Sequence, residues 1–141
     1  MALQLEITES VLLGDGHGSV ATDLLTELRL LGVELHVDDF GTGYSSLTYL
    51  HRFPVQAIKV DRSFVHRMGA RRTDLEIVRS IVDLATTLGL RVIAEGVETQ
   101  AQRERLIAFG CELGQGFLFA EPLEPASAIV MFETRGPVTR A

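Results

Sequence analysis

The stretch VELHVDDFGTGYSS, Val33–Ser46, decides how this chain folds. Its first residues alternate between apolar and polar, which predicts a strand with one face of each kind. Asp38 and Asp39 close that strand, and the glycines at Gly41 and Gly43 allow the backbone to turn sharply. The pattern therefore predicts two carboxylates at the carboxyl end of a strand, where parallel α/β folds place their chemistry. For the acidic pair taken alone, a turn in which both side chains bond only nearby backbone groups is the alternative.

The composition is that of a globular protein with a modest core. The chain has 141 residues, of which 46% are hydrophobic and 23% charged, enough for one domain. A formal net charge of −6 argues against a general nucleic-acid or anionic-membrane binder. Cys111 is the only cysteine, so no intrachain disulfide can form. No apolar run approaches the roughly 20 residues of a membrane span, and no secretory leader is visible, so we predict a cytoplasmic domain.

Four further segments have the pattern of strands, with helical patterns between them. These strands are predicted at Leu3–Thr8, Ala57–Asp61, Val92–Glu95 and Gly114–Phe119. Two helices are predicted to start with capping boxes, Thr73 with Glu76 and Thr99 with Gln102. Because no hairpin signal separates the strands, the pattern predicts an α/β fold of repeated βα units with a parallel sheet.

Each predicted strand also ends in a polar residue that a buried strand does not need. These residues are Glu6, Asp38 with Asp39, Lys59, Glu95 and Gln115. Because the carboxyl ends of parallel strands meet at one largely enclosed edge, we expect a shared site. Four carboxylates together require neutralising cations, and all-oxygen ligands favour Mg²⁺ or Mn²⁺ over zinc. Two such ions are the usual arrangement for attack on a phosphodiester.

Two roles of Lys59 are compatible with such a site. Among metal ions and carboxylates, it would hold the nucleophilic water or a non-bridging phosphate oxygen. The alternative is a plain salt bridge to Asp38 or Glu95.

Five motifs, in order, resemble those of the EAL-domain family of cyclic-di-GMP phosphodiesterases. The matching stretches are Leu5–Ser10, Asp38–Ser46, Ile58–Phe64, Ala94–Thr99 and Gln115–Phe117. The resemblance implies a TIM-like (β/α)₈ barrel. It also implies Mg²⁺- or Mn²⁺-dependent opening of cyclic-di-GMP to the linear dinucleotide pGpG.

The resemblance also assigns roles to individual residues. The metal ligands are expected to be Glu6, Asp38, Asp39 and Glu95. Lys59 becomes the water-activating residue and, with Glu95, the catalytic pair. Gln115 is expected to contact the metal-bound water or the substrate. Glu98 would anchor the loop Phe40–Ser46, through which the family couples its metal site to homodimerisation. N-terminal sensory or GGDEF-type domains are compatible with a longer parent protein.

Three family features are absent from this sequence. The Glu-Ala-Leu strand and the Asn-bearing strand after it, each of which gives a ligand to the first metal, are missing. So is the Arg that follows the Glu-Ala-Leu motif and contacts the substrate. A TIM barrel takes about 250 residues, and this chain supplies five of its eight strands. We therefore predict an incomplete barrel, with residues 1–134 forming its C-terminal part and 135–141 a disordered tail.

Two functional expectations follow from the missing strands. We expect this chain to be inactive alone, because its first metal site would be half built. The alternative to an enzyme is a non-catalytic cyclic-di-GMP effector or dimerisation module. Whether Met1 is the true start of the protein stays open.

Two smaller features are interpreted structurally. His36, on the polar face of the Asp38 strand, is expected to be a hydrogen-bonded core histidine rather than a catalytic one. The basic run His66, Arg67, Arg71 and Arg72 is predicted to be a solvated loop, with partner or phosphate contact as the alternative.

Overall fold

Five parallel strands form a single sheet. The computed structural model describes residues 3–8, 11, 18–42, 50 and 52–135. The strands are β1 (Gln4–Thr8), β2 (Glu34–Phe40), β3 (Ala57–Val60), β4 (Arg91–Ala94) and β5 (Leu113–Gly114). They lie in the order β1-β2-β3-β4-β5, and every neighbouring pair is parallel. The predicted fold class is therefore confirmed.

Five helices are described between and after the strands. They are α1 (Gly18–Leu30), α2 (Arg62–Arg67), α3 (Arg72–Thr87), α4 (Gln100–Ala108) and α5 (Pro125–Arg135). Within the described ranges, none of these helices is long and apolar enough to cross a membrane. Arg135 ends α5, although the sequence assigned it to the tail, and residues 136–141 lie outside the described part.

The core lies between the sheet and the helices. Leu35, Val37, Ile58 and Val60 are all fully buried, and strand alternation places them opposite Asp38 and Lys59. Helix α3 adds its own buried side chains, which are Val78, Ile81, Val82 and Ala85. Burying each large aliphatic side chain contributes about 1.5–3 kcal/mol. This packing leaves the other face of the sheet to the polar residues.

Strands β1 and β5 are the two edges of the sheet. Most of the exposed large apolar side chains belong to the elements at these edges. In and around β1 and α1 they are Leu3, Val11, Leu24, Leu30 and Leu31; from β5 to α5 they are Phe117, Leu123, Ile129 and Val130. Apolar side chains concentrated along open edges fit the predicted incomplete barrel.

One of the two predicted capping boxes is wrong. Helix α3 begins at Arg72, and its N-cap, Arg71, makes no side-chain cap hydrogen bond. Thr73 therefore lies inside the first turn, because Arg72 is itself a good helix former and extends the helix. In α4 the box is complete: Thr99 Oγ1 accepts from Gln102 N at 3.2 Å, and Gln102 Oε1 accepts from Thr99 N at 2.9 Å.

The basic run is exposed, as predicted, but only part of it is a loop: Arg71 lies between two helices, and Arg72 begins α3. His66 and Arg67 lie in α2. Asp61 starts this helix, because its Oδ1 accepts a hydrogen bond from Ser63 N at 3.0 Å. The Asp-Arg-Ser sequence was an available N-cap signal for this helix.

The last strand is shorter than the predicted Gly114–Phe119. After Gly114 the chain wraps around Val97, whose N–H donates to the Gln115 carbonyl at 3.0 Å and whose carbonyl accepts from Leu118 N at 3.0 Å. Gly116 has φ 153°, and a Cβ there would lie 2.3 Å from the Val97 backbone. Only glycine allows this approach, so the chain turns instead of continuing the strand.

Candidate metal centre

Strand β2 carries a bulge where its two carboxylates lie. Val37 pairs with Ile58 and Phe40 with Val60, so two residues of β2 face one residue of β3. Asp39 takes a left-handed backbone, with φ 55°, the only non-glycine residue to do so among those described. The sequence assigned this turn to glycines alone. The bulge keeps Asp39 on the side of Asp38, whereas a regular strand would turn it away.

Three carboxylates converge at this end of the sheet. Asp38, Asp39 and Glu95 each place an oxygen within 4.8 Å of the others. Asp38 Oδ1 is buried and, in the described part of the chain, has no hydrogen-bond partner. An orphaned oxygen inside a group of carboxylates suits a hard divalent cation.

Lys59 lies at the centre of these side chains with 4% of its surface exposed. Its Nζ lies 2.7 Å from Glu6 Oε1, 2.5 Å from Glu95 Oε1 and 3.2 Å from Asp38 Oδ1. The last contact is electrostatic, because its direction does not make a hydrogen bond. Burial disfavours the charged form of Lys59, but the contacts with Glu6, Glu95 and Asp38 outweigh it and hold its pKa above the ordinary value. The ammonium is therefore charged at neutral pH.

Glu95 is held from two sides. Gln115 Nε2 donates to Glu95 Oε1 at 2.7 Å, the same oxygen that contacts Lys59. Burial raises the pKa of Glu95, Lys59 lowers it, and the charges of Asp38 and Glu6 raise it further, so the net direction is upward. The centre thus carries more negative charge than one ammonium neutralises.

Two other predicted site residues lie further out. Glu6 joins the centre through Lys59 and is not among the three carboxylates within 4.8 Å of one another. Glu98 is exposed, and its backbone N–H donates to Gln102 Oε1 at 2.8 Å. Its expected role as an anchor of loop Phe40–Ser46 stays a prediction, because residues 43–46 lie outside the described part. We call Glu6, Asp38, Asp39, Lys59, Glu95 and Gln115 the carboxyl-end cluster.

A second polar cluster lies at the amino ends of the strands. Glu34 Oε2 is 2.5 Å from Arg91 Nη2, 3.3 Å from Gln4 Nε2 and 3.3 Å from His36 Nε2. The hydrogen bond from Arg91 is the main cause that holds the pKa of Glu34 below its ordinary value. His36 is 2% exposed, in agreement with its predicted role as a hydrogen-bonded core histidine. We call Gln4, Glu34, His36 and Arg91 the amino-end cluster.

The amino-end cluster is absent from the expectations drawn from the sequence. Glu34 and Arg91 are the first residues of β2 and β4 and are separated by β3. Ala57, fully buried in β3, shares the Lys59 face by alternation and has almost no side chain there. The signal available in the sequence was that β2 and β4 both begin with a charged residue.

Comparisons with known proteins agree with this architecture. A family model described as the EAL domain matches residues 1–122. The cyclic di-GMP phosphodiesterase NbdA of Pseudomonas aeruginosa is 49% identical over 130 residues, which are 92% of this chain and 16% of NbdA. The solved PaMucR phosphodiesterase, in complex with c-di-GMP, superposes with a TM-score of 0.83 at 44% identity, over 89% of this chain and 50% of that one.

A second similar structure was solved with a metal. Klebsiella pneumoniae BlrP1, solved as a manganese and cyclic-di-GMP complex, superposes with a TM-score of 0.75 at 39% identity, over 84% of this chain and 30% of that one. This chain thus spans half or less of each of the three proteins named here. From the matched family model and the shared fold, we conclude that the chain belongs to the EAL domain family.

Proposed function

We propose that the carboxyl-end cluster is part of the active site of a phosphodiesterase that opens cyclic-di-GMP to linear pGpG. One observation carries the proposal: Asp38, Asp39 and Glu95 bring oxygens within 4.8 Å of one another beside the buried ammonium of Lys59. The names of NbdA and PaMucR support the substrate. Because this chain spans only part of those proteins, their activity is inferred for this chain and not measured on it.

The cofactors we propose are two divalent cations, Mg²⁺ or Mn²⁺. The orphaned Asp38 Oδ1 and the all-oxygen donor set fit such ions. Asp38, Asp39 and Glu95 would hold them, with Glu6 the remaining candidate ligand. Bound divalent cations would polarise the phosphodiester and ease the attack of water in line with the leaving oxygen. In the family, the Glu-Ala-Leu strand and the Asn-bearing strand, which this sequence does not contain, supply further ligands of the first site.

The two remaining side chains of the carboxyl-end cluster, Gln115 and Lys59, would orient neighbouring groups and neutralise negative charge. Gln115 fixes Glu95 through the 2.7 Å hydrogen bond to its Oε1. Lys59 is charged, so it would act as a donor that places the water or a non-bridging phosphate oxygen. Catalysis would then depend more on charge stabilisation and orientation by the protein than on proton transfer.

Partners and location are proposed from the same family membership. Cyclic-di-GMP is the ligand, and the region Phe40–Ser46 is the proposed contact of a homodimer. Sensory or GGDEF-type domains in a longer protein would regulate it, and the cytoplasm is the proposed compartment.

Adding the absent strands back tests the proposal. The chain is compared, alone and joined behind the N-terminal half of the PaMucR domain, for conversion of cyclic-di-GMP to pGpG with Mg²⁺ or Mn²⁺. We expect turnover from the hybrid, none in EDTA, and none from the 141-residue chain alone. Glu95→Gln in the hybrid is the matched control. A hybrid that shows a cooperative unfolding transition yet neither binds nor hydrolyses cyclic-di-GMP rejects the proposal, and binding without turnover favours the non-catalytic effector.

A further inference from the structure

The ammonium of Lys59 is buried and enclosed by carboxylates, so a substrate has no open approach to it. Lys59 Nζ is in close contact with Glu6 and Glu95, and the Asp38 oxygen, which makes no hydrogen bond, also lies 3.2 Å away. The side chain is also almost completely buried. To contact water or a phosphate oxygen, Lys59 must therefore give up at least one of its present partners.

Two of those partners belong to the candidate cation site. Asp38 and Glu95 contact Lys59 and also lie within 4.8 Å of each other and of Asp39. Glu6, the third partner, is outside that set. A divalent cation entering among the three carboxylates would compete with Lys59 for Asp38 and Glu95 and would leave Glu6 as its counter-charge.

The charge balance favours such an exchange. Three carboxylates, those of Glu6, Asp38 and Glu95, contact the single ammonium, Asp39 adds a fourth beside Asp38 and Glu95, and one of these oxygens has no hydrogen bond. A divalent cation brings twice the charge of the ammonium and binds several carboxylate oxygens at once. Two cations a few ångströms apart in a partly buried site also repel each other strongly.

We infer that Lys59 is an internal counter-ion that holds Asp38 and Glu95 together until divalent cations bind, and that cation binding releases it for contact with the substrate. The inference rests on the proposed function, since it requires cations at Asp38, Asp39 and Glu95. It couples two events in one site: cation loading loosens Lys59, and by reciprocity Lys59 weakens cation binding.

Lys59 is the only lysine in the chain, which allows a direct test. With ¹³C-labelled lysine, the protein gives a single lysine Cε methylene signal in NMR spectra. Mg²⁺, which is diamagnetic, is titrated into the 141-residue chain while this signal and the amide signals of Asp38, Asp39 and Glu95 are followed. We expect all of them to shift together and to saturate with one apparent Kd.

A variant pair measures the competition. Lys59→Met removes the ammonium, and we expect it to bind Mg²⁺ at least about tenfold more tightly than the wild type, which is about 1.4 kcal/mol. Arg91→Met removes a cation from the amino-end cluster instead, and its Mg²⁺ affinity should equal that of the wild type. Unfolding of each protein in EDTA identifies any variant that does not fold, in which case the wild-type titration decides.

The outcomes separate the two proposals. If the amides of Asp38, Asp39 and Glu95 shift with Mg²⁺ but the lysine signal does not, or if Lys59→Met binds no more tightly, the counter-ion role is wrong and the metal site stands. If no amide at these positions shifts in either the wild type or Lys59→Met, the metal site fails together with the inference.

Discussion

At the carboxyl end of the sheet, hydrogen-bond acceptors outnumber donors, whereas at the amino end several side chains share one acceptor. At the carboxyl end, one ammonium contacts three carboxylates, and Asp38 Oδ1 is left without a hydrogen bond. At the amino end, one carboxylate oxygen of Glu34 is reached by three neighbouring side chains. Both clusters lie on the same face of the same strands.

This difference separates a site for ligands from a structural contact. A satisfied polar cluster stabilises the strand arrangement and needs nothing further. A cluster with surplus acceptors keeps a free-energy penalty that an incoming cation can relieve. Substitutions can remove the surplus of acceptors at the carboxyl end or disturb the balanced contacts at the amino end.

The largest effect is expected from Asp38→Asn. In the hybrid with the PaMucR N-terminal half, turnover should fall at least about 100-fold, because even indirect supports of metal ligands are worth 10–100-fold. In EDTA the free energy of unfolding should rise by about 1 kcal/mol, because one of the clustered negative charges is gone. Urea unfolding in EDTA measures the change in stability, and conversion of cyclic-di-GMP to pGpG by the hybrid measures the change in turnover. A loss of metal-free stability would mean that the surplus charge does not oppose folding.

Ala57→Val would add two methyl groups to β3, the strand between those that carry Glu34 and Arg91. Ala57 is fully buried, and added methyl groups in a packed interior typically cost about 1–3 kcal/mol. The free energy of unfolding should fall by that amount, while the stabilisation gained on adding Mg²⁺ stays the same. A changed response to Mg²⁺ would show that the two ends are coupled.

Arg91→Met should cost less, about 1 kcal/mol or below. Its side chain is 48% exposed, so solvent screens the ion pair with Glu34. Urea unfolding in low and in high salt measures the effect, and the difference from wild type should shrink in high salt. A salt-independent loss would assign the effect to packing of the Arg91 stem.

The smallest effect concerns pH. Glu34 has a folded-state pKa below its ordinary value of 4.5, chiefly through the hydrogen bond from Arg91. Its contribution to stability is therefore present above the unfolded-state pKa and lost as the pH falls through the folded-state pKa. The difference in unfolding free energy between wild type and Glu34→Gln should be constant near neutral pH and shrink below about pH 4.5. A difference that does not change in acid would exclude the ionised form of Glu34 as the cause.

Alternation of apolar and polar residues was enough to predict the sheet and the polar ends of its strands. It could not predict the bulge, since the left-handed backbone of Asp39 depends on how β2 pairs with β3. Nor could it set the length of β5, which ends because the backbone of Val97 lies beside Gly116. The pair of Glu34 and Arg91 depends on strand register between residues distant in the chain. Local periodicity carries none of that information.

The bulge in β2 has a consequence for how one strand can serve two environments. An unbroken strand must send every second side chain to each face, so two successive acids would cost it a core position. Because the extra residue absorbs one step of the alternation, Phe40 is again on the helix side and is only 3% exposed. Deleting either acid would restore the regular alternation and keep the interior intact, but it would leave only one carboxylate on the polar face. The bulge therefore lets Asp38 and Asp39 both lie on the polar face of the sheet, while Phe40 returns to the hydrophobic core.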